Sequence, residues 1–208
     1  MNEFYDSEEY RIALDNHLTR RLELDRYESI PWIDSAIRLN DSTILEIGCG
    51  TGSATTAMGE QGAKVIGIDV HREALAVAEL RAQVHGVKNV SFIQGNAVDL
   101  TVLTRDHRFD LIVFFAVLEH MTFEERKSAL RAAWESLPKG KYLCITDTPN
   151  RLWFYDGHTS HLSFFNWLPD ELAFEYAKLS PRYPFNARFH ELNSESMLSF
   201  IRGMTLAD

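Results

Sequence analysis

The run Ile44-Leu45-Glu46-Ile47 is apolar and β-branched, and it breaks at once into glycines at alternate positions, Gly48, Gly50 and Gly52. A helix-competent stretch beginning Ser53-Ala54-Thr55 follows directly. Strand, tight turn and helix start, in that order, make the junction at which an α/β sheet lets a ligand lie against bare backbone. Glycine suits such a turn because a side chain would occupy the ligand's space and because positive φ is tolerated.

The rest of the chain supports the same architecture. Thr43–Ile47, Lys64–Asp69, Val90–Gln94, 109–115 and Tyr142–Thr146 read as five strands. The fourth is apolar without alternation, as a strand covered on both faces should be. A helix from about Arg72 ends at Gly86, and Thr122 with Glu125 forms a capping box for another. Pro138-Lys139-Gly140 turns the chain into the last strand. Helices between successive strands imply right-handed crossovers, hence a doubly wound, mostly parallel sheet with helices on both faces.

Ahead of the core, Tyr10, Ala13, Leu14, His17 and Leu18 recur at helical spacing, and Pro31 reads as the start of a second short helix carrying Ile33 and Ile37. Beyond residue 150 comes a segment dense in aromatics and histidines, then a helix opened by Pro169 with Asp170 and Glu171 in its first turn. Pro181 and Pro184 break the chain, and 194–201 is amphipathic. The expected division is a single domain with N-terminal helices over 1–40, a core over 41–149 and a cap over 150–208.

At 208 residues, 45% hydrophobic and 25% charged, the chain has the composition of an ordinary globular domain. A net charge of −9 disfavours nucleic acid and anionic membrane surfaces as partners. Arg20, Arg21 and Arg26 are the only basic group in the N-terminal part, and a solvated helix face accounts for them. The two cysteines, Cys49 in the turn and Cys144 in a strand, form no disulfide framework and fit a reduced, cytoplasmic protein. The acidic start of the chain has no secretory pattern, and no apolar stretch approaches membrane-spanning length.

The glycine turn resembles the first motif of class I S-adenosylmethionine-dependent methyltransferases, E/D-x-G-x-G-x-G, with Glu46, Gly48, Gly50 and Gly52 in its four signature places. The resemblance spans roughly residues 40 to 150 and implies S-adenosylmethionine as cofactor. It places the glycine turn against the methionine portion, and Asp69, followed by Val70 at the end of the second strand, on the ribose hydroxyls. Asn96 and Ala97 after the third strand would meet the adenine. Phe115 opens the fourth station, Phe115-Ala116-Val117-Leu118-Glu119-His120, which looks like the V-L-E-H stretch of small-molecule O-methyltransferases, including those of ubiquinone synthesis. The family usually ends with two more strands, which this sequence does not display. They are replaced, or lost with the C-terminal end, or a second copy or partner chain covers the fifth strand, because an open apolar edge invites aggregation.

A nicotinamide dinucleotide is the rival ligand, giving an oxidoreductase. Its G-x-G-x-x-G/A fingerprint needs Gly or Ala where Ser53 stands, the third glycine here coming one residue early, and Glu46 would repel a pyrophosphate. For methyl transfer to a small acceptor, more readily at oxygen than nitrogen, the candidate bases are His120, Glu119, His158 and His161. His120 leads because it lies just past a strand's carboxyl end. An E-x-x-E-H metal motif, as in some RNA and quinone methyltransferases, is incomplete here because Ala116 holds the place of its first Glu. No metal is therefore expected. The aromatic segment 150–167 suits a lid over the acceptor. A third reading is a catalytically silent methyltransferase-like subunit, which predicts no turnover with any acceptor.

Overall fold

The computed structural model describes residues 7–100, 107–150, 152–157 and 160–181. Its centre is a five-stranded sheet, β1 (Thr43–Ile47), β2 (Lys64–Asp69), β3 (Val90–Gln94), β4 (Leu111–Phe115) and β5 (Tyr142–Thr146). The order is β3-β2-β1-β4-β5, and every pairing is parallel. The winding reverses between β1 and β4, so the carboxyl ends of those strands diverge and leave a crevice.

Strand residues alternate between two cores. Ile44, Val65, Val113 and Phe115 face α4 (Ser53–Glu60) and the N-terminal helices, whereas Leu45, Ile47, Ile112 and Phe114 face α6 (Phe123–Ser136) through Ala129 and Ala133. Burial on both faces is why β4 carries no polar alternation. Helix α5 (Arg72–Val84) ends in the predicted manner, with Gly86 at φ +70° just beyond its last turn. Both halves of the Thr122–Glu125 capping box form at the start of α6.

Two expectations need correction. Pro31 does not open a separate helix. Residues 8 to 36 form one continuous rod made of α1 (Glu8–Asp15), α2 (Arg21–Leu24) and α3 (Ile30–Ala36), joined by π-helical turns at Asn16–Arg20 and Asp25–Ser29. A proline inside a helix lacks a donor and crowds the carbonyl four residues back. Here the rod widens immediately before Pro31, and the Ile30 N–H reaches the Asp25 carbonyl, five residues back. Ile33 is buried as expected, but Ile37 has left the helix with φ −137°. The fourth strand also begins later than 109, its ladder starting at Leu111. The Asp110 side chain instead accepts the Thr43 N–H (2.8 Å) and an ion pair from Lys141 (2.6 Å).

After β5 the chain builds a small cap. Tyr155 and Ser163 form an antiparallel bridge, and α7 (Asp170–Ala177) packs Ala173 and Ala177 on fully buried Phe165. Asp156, buried, ties the bridge by accepting the Ser160 N–H (2.6 Å) and hydroxyl (2.7 Å). Among the described residues no strand lies beyond β5, and Tyr142 and Ile145 on it are half exposed. Pro184 and the stretch 194–201 lie outside the described residues.

Candidate active site

The crevice predicted by the strand order is a cavity of about 360 Å³ at the carboxyl ends of β1, β2 and β4. That is within the range of small-molecule sites. Ile47, Gly48 and Gly50 form its floor, Asp69, Val70 and His71 one wall, and Asn96 with Ala97 the next. Ala116, Val117, His120 and Met121 close the opposite side, with Glu125 from α6.

The turn is held close to β2 because the Gly48 and Cys49 N–H groups both donate to the Ile68 carbonyl (2.8 and 3.0 Å). Its glycines serve different ends. A Cβ on Gly48 would collide with the Val117 side chain, and one on Gly52 would lie 2.6 Å from the Ala78 Cβ of α5. A Cβ on Gly50 would meet nothing within 4 Å, so its bare backbone faces the cavity. The first and third glycines allow protein to pack on protein. The second leaves a place for a ligand.

Asp69 is held from two sides. Its Oδ2 accepts the Gly50 N–H (2.8 Å), and its Oδ1 accepts the His71 N–H (2.9 Å) and meets His71 Nδ1 (3.1 Å). Asn96 turns its side-chain oxygen to the Val98 N–H (3.1 Å), which leaves its NH₂ as a donor. Val70 is 49% exposed and lines the same wall, apolar surface suited to a flat ring.

Glu46 lies behind the floor, 2% exposed, and accepts the Thr55 hydroxyl of α4. Burial pushes its carboxyl up to about 8, and the neighbouring Asp25 and Asp69 push the same way. Asp25, wholly buried on the N-terminal rod, is raised by desolvation while accepting the Ser53 hydroxyl (2.5 Å). Glu119, 1% exposed, is likewise raised by desolvation. Burial thus favours the neutral form of these carboxyl groups, and they add little negative charge beneath the floor. Burial also raises the Cys49 thiol, so it is no nucleophile.

The structure thus brings Gly48, Gly50, Asp69, Val70, Asn96, Ala97 and His120 around one cavity. Glu46, Gly52, Phe115 and Glu119 are placed behind its walls, where they shape rather than line it. His161 stands in the cap beside Tyr155, ring centroids 6.3 Å apart, away from the cavity lining. His158 lies outside the described residues. Three lining residues escaped the sequence reading. Glu125 was read only as half of a helix cap, and Met121 and His71, the latter the N-cap of α5 two residues past Asp69, were not singled out.

Ala116 and Asp147 add a backbone signal that no residue type announces. Both are non-glycine residues at left-handed φ (51° and 58°), at the first positions past β4 and β5. The Ala116 N–H donates to the Thr146 carbonyl (3.0 Å), which holds the two strand ends together. Strained residues of this kind collect at ligand sites. Arg21 of the N-terminal rod reaches over this edge, pairing with Asp147 (3.1 Å) and standing 5.3 Å above the Phe115 ring.

The model of a methyltransferase domain matches residues 39–174, more than half of the chain. Among curated proteins, the ubiquinone biosynthesis O-methyltransferase of Pseudomonas fluorescens (strain Pf0-1) is 34% identical over 111 residues, 53% of this chain and 46% of that protein. Its counterpart from Serratia proteamaculans (strain 568) is 38% identical over 53% and 44%. The chain therefore spans about half the length of the curated relatives it matches. A crystal structure of an S-adenosylmethionine-dependent methyltransferase from Clostridium acetobutylicum ATCC 824 shares the fold, with a TM-score of 0.51 at 18% identity over 64% of this chain and 55% of that one. With its winding order, glycine turn and family match, the chain belongs to the methyltransferase-domain family, in the class I S-adenosylmethionine-dependent superfamily.

Proposed function

We propose that the protein transfers the methyl group of S-adenosylmethionine to a hydroxyl oxygen of a small acceptor, a phenol first among the classes to try. The observation that carries this is one cavity with the open backbone of Gly50 and the Asp69 carboxylate on one side and His120 on the other. A nucleoside holder and a titratable group thus face each other across a space of small-molecule size. The curated relatives are O-methyltransferases, which supports oxygen as the acceptor atom.

S-adenosylmethionine supplies a methyl group already activated on a sulfonium. What remains for the protein is to hold and orient the reactants and to exclude water. Asp69 accepts the ribose hydroxyls, Val70 packs on the adenine face, and the Asn96 NH₂ donates to an adenine ring nitrogen. Gly50 lets the methionine portion lie on backbone. His120 takes the acceptor's proton as the oxygen attacks. Since only neutral imidazole can do so, the rate rises with pH.

Incubation with S-adenosylmethionine and a panel of phenols, aliphatic alcohols and amines, read by mass spectrometry, tests this. O-methylated phenol with matching S-adenosylhomocysteine is the expected result. Methylation of the amines alone would overturn the oxygen assignment, and absence of turnover with every class would leave a silent subunit as the better account.

A further inference from the structure

We propose that His71 is a positioning residue that competes with the ribose for Asp69, so that its imidazole must leave the carboxylate before both ribose hydroxyls can bind. The inference rests on the reading of the cavity as an S-adenosylmethionine site and adds a control to it. The count of acceptor sites carries it. A carboxylate has about four lone-pair positions, two on each oxygen. The Oδ1 of Asp69 already takes the His71 N–H at 2.9 Å and meets His71 Nδ1 at 3.1 Å, and Oδ2 takes the Gly50 N–H at 2.8 Å. One position is left, whereas a cis-diol held by both hydroxyls needs two.

One of the three donors must therefore yield. Two are backbone N–H groups, one in the glycine turn and one at the N-cap of α5, and neither can withdraw without moving its element. The third is the imidazole, whose side chain is 75% exposed while Asp69 is 10% exposed. The ring can swing into solvent at little cost. It is the donor that yields.

The grip of the ring depends on its charge. Protonated imidazole donates a charge-assisted hydrogen bond to Asp69, and the neutral ring holds it more weakly. Cofactor affinity should therefore fall on the acid side, because the ribose displaces a stronger bond there. His120 and Glu125 line the cavity across from the ring, and Arg72 and Glu73 follow His71 on its own helix. A pH slope alone is thus not assignable to His71, and the test separates it by substitution and by ligand.

Binding of S-adenosylhomocysteine and of its 2′-deoxy analogue to the full chain is measured by calorimetry at pH 6 and pH 8.5, for wild type, His71→Phe and His71→Ala. Both variants keep the residue-71 backbone N–H that donates to Asp69. The expected result is that at pH 6 both variants bind S-adenosylhomocysteine about tenfold more tightly than wild type, the worth of one charge-assisted bond. That gap should narrow by pH 8.5. With the 2′-deoxy analogue, which needs only the free position on Oδ2, the variants and wild type should agree at both pH values. Equal affinities and equal pH slopes for S-adenosylhomocysteine would overturn the competition while leaving the cofactor site in place. A gap that persists with the 2′-deoxy analogue would also overturn it. Failure of every protein to bind S-adenosylhomocysteine would remove the cofactor reading, and the inference with it.

Discussion

The two sides of this molecule's working end are built from different materials. The cofactor side consists of strand ends in fixed register, backbone N–H groups and carboxyls at 10% exposure or less, so its geometry follows from the sheet. The cap beyond β5 is built differently: Trp153, Phe154, Phe164 and Trp167 form a chain of ring contacts 5.2–6.2 Å apart, each ring about half exposed, over a small core of buried Phe165, Ala173 and Ala177. A sheet can place an atom to within a fraction of an ångström. A short bridged loop on a small satellite core adapts more easily. The contrast suits the proposed division of labour, in which the sheet holds the nucleoside and the cap meets the acceptor.

If that division holds, the largest effect belongs to the group between the two sides. His120→Ala should retain S-adenosylhomocysteine affinity in calorimetry while kcat falls ~10²–10⁴-fold, with loss of the rise in rate toward alkaline pH. Normal turnover would return the role of base to another residue. Gly48→Ala should come next. A Cβ there collides with Val117 at a residue with φ +72°, so thermal unfolding should show a loss of roughly 2–4 kcal/mol. Gly50→Ala should lose less stability and more ligand affinity, because its Cβ meets only the cavity. If the two variants behaved alike, the distinct tasks assigned to these glycines would be wrong.

Asp69→Ala should weaken nucleoside binding by roughly 1.5–3 kcal/mol, as expected for charge-assisted hydrogen bonds in a half-enclosed site. Calorimetry on the folded variant checks it, and unchanged affinity would take Asp69 out of the site. Glu46 makes a prediction about the floor alone. With its carboxyl raised to about 8 by burial, the unfolded chain ionises first. The stability that the neutral side chain contributes is therefore intact in acid and is lost as pH climbs toward and through about 8. Glu46→Gln should be insensitive to this and should exceed wild type by roughly 2–4 kcal/mol at pH 9 in thermal melts. Parallel stability curves for the two proteins would mean that Glu46 is charged in the fold. The smallest effect is expected in the cap, where Trp167→Ala should raise acceptor KM ~3–10-fold and leave cofactor affinity alone.

The same division explains what the sequence disclosed. Strand spans, the glycine turn, Asp69 and the Thr122 cap were readable because each follows from a local rule: an apolar run, alternate glycines, a strand-ending carboxylate, a reciprocal cap. The path of the N-terminal rod was not. Proline usually marks a helix boundary, but here the rod runs on through two π turns, with Leu22, Ile30 and Ile33 in the core beside the sheet and Asp25 bonded to Ser53. The role of Glu46 was half readable. Its motif position is plain, but its withdrawal to Thr55 depends on how α4 packs. His71 was missed because one histidine two residues past a strand carries no pattern until its ring is seen on Asp69. The cap histidines were grouped with His120 by composition, and the fold separates His161 from the cavity because the Tyr155–Ser163 bridge turns that loop back on itself.

The central claim is that the cavity between β1 and β4 holds S-adenosylmethionine through its nucleoside. Calorimetric titration of the full chain with S-adenosylhomocysteine and, separately, with NADH tests it most directly. The account predicts saturable one-to-one binding of S-adenosylhomocysteine, weakened at least tenfold by Asp69→Ala, and no measurable heat with NADH. Binding of NADH with none of S-adenosylhomocysteine, or S-adenosylhomocysteine binding indifferent to Asp69, would contradict it.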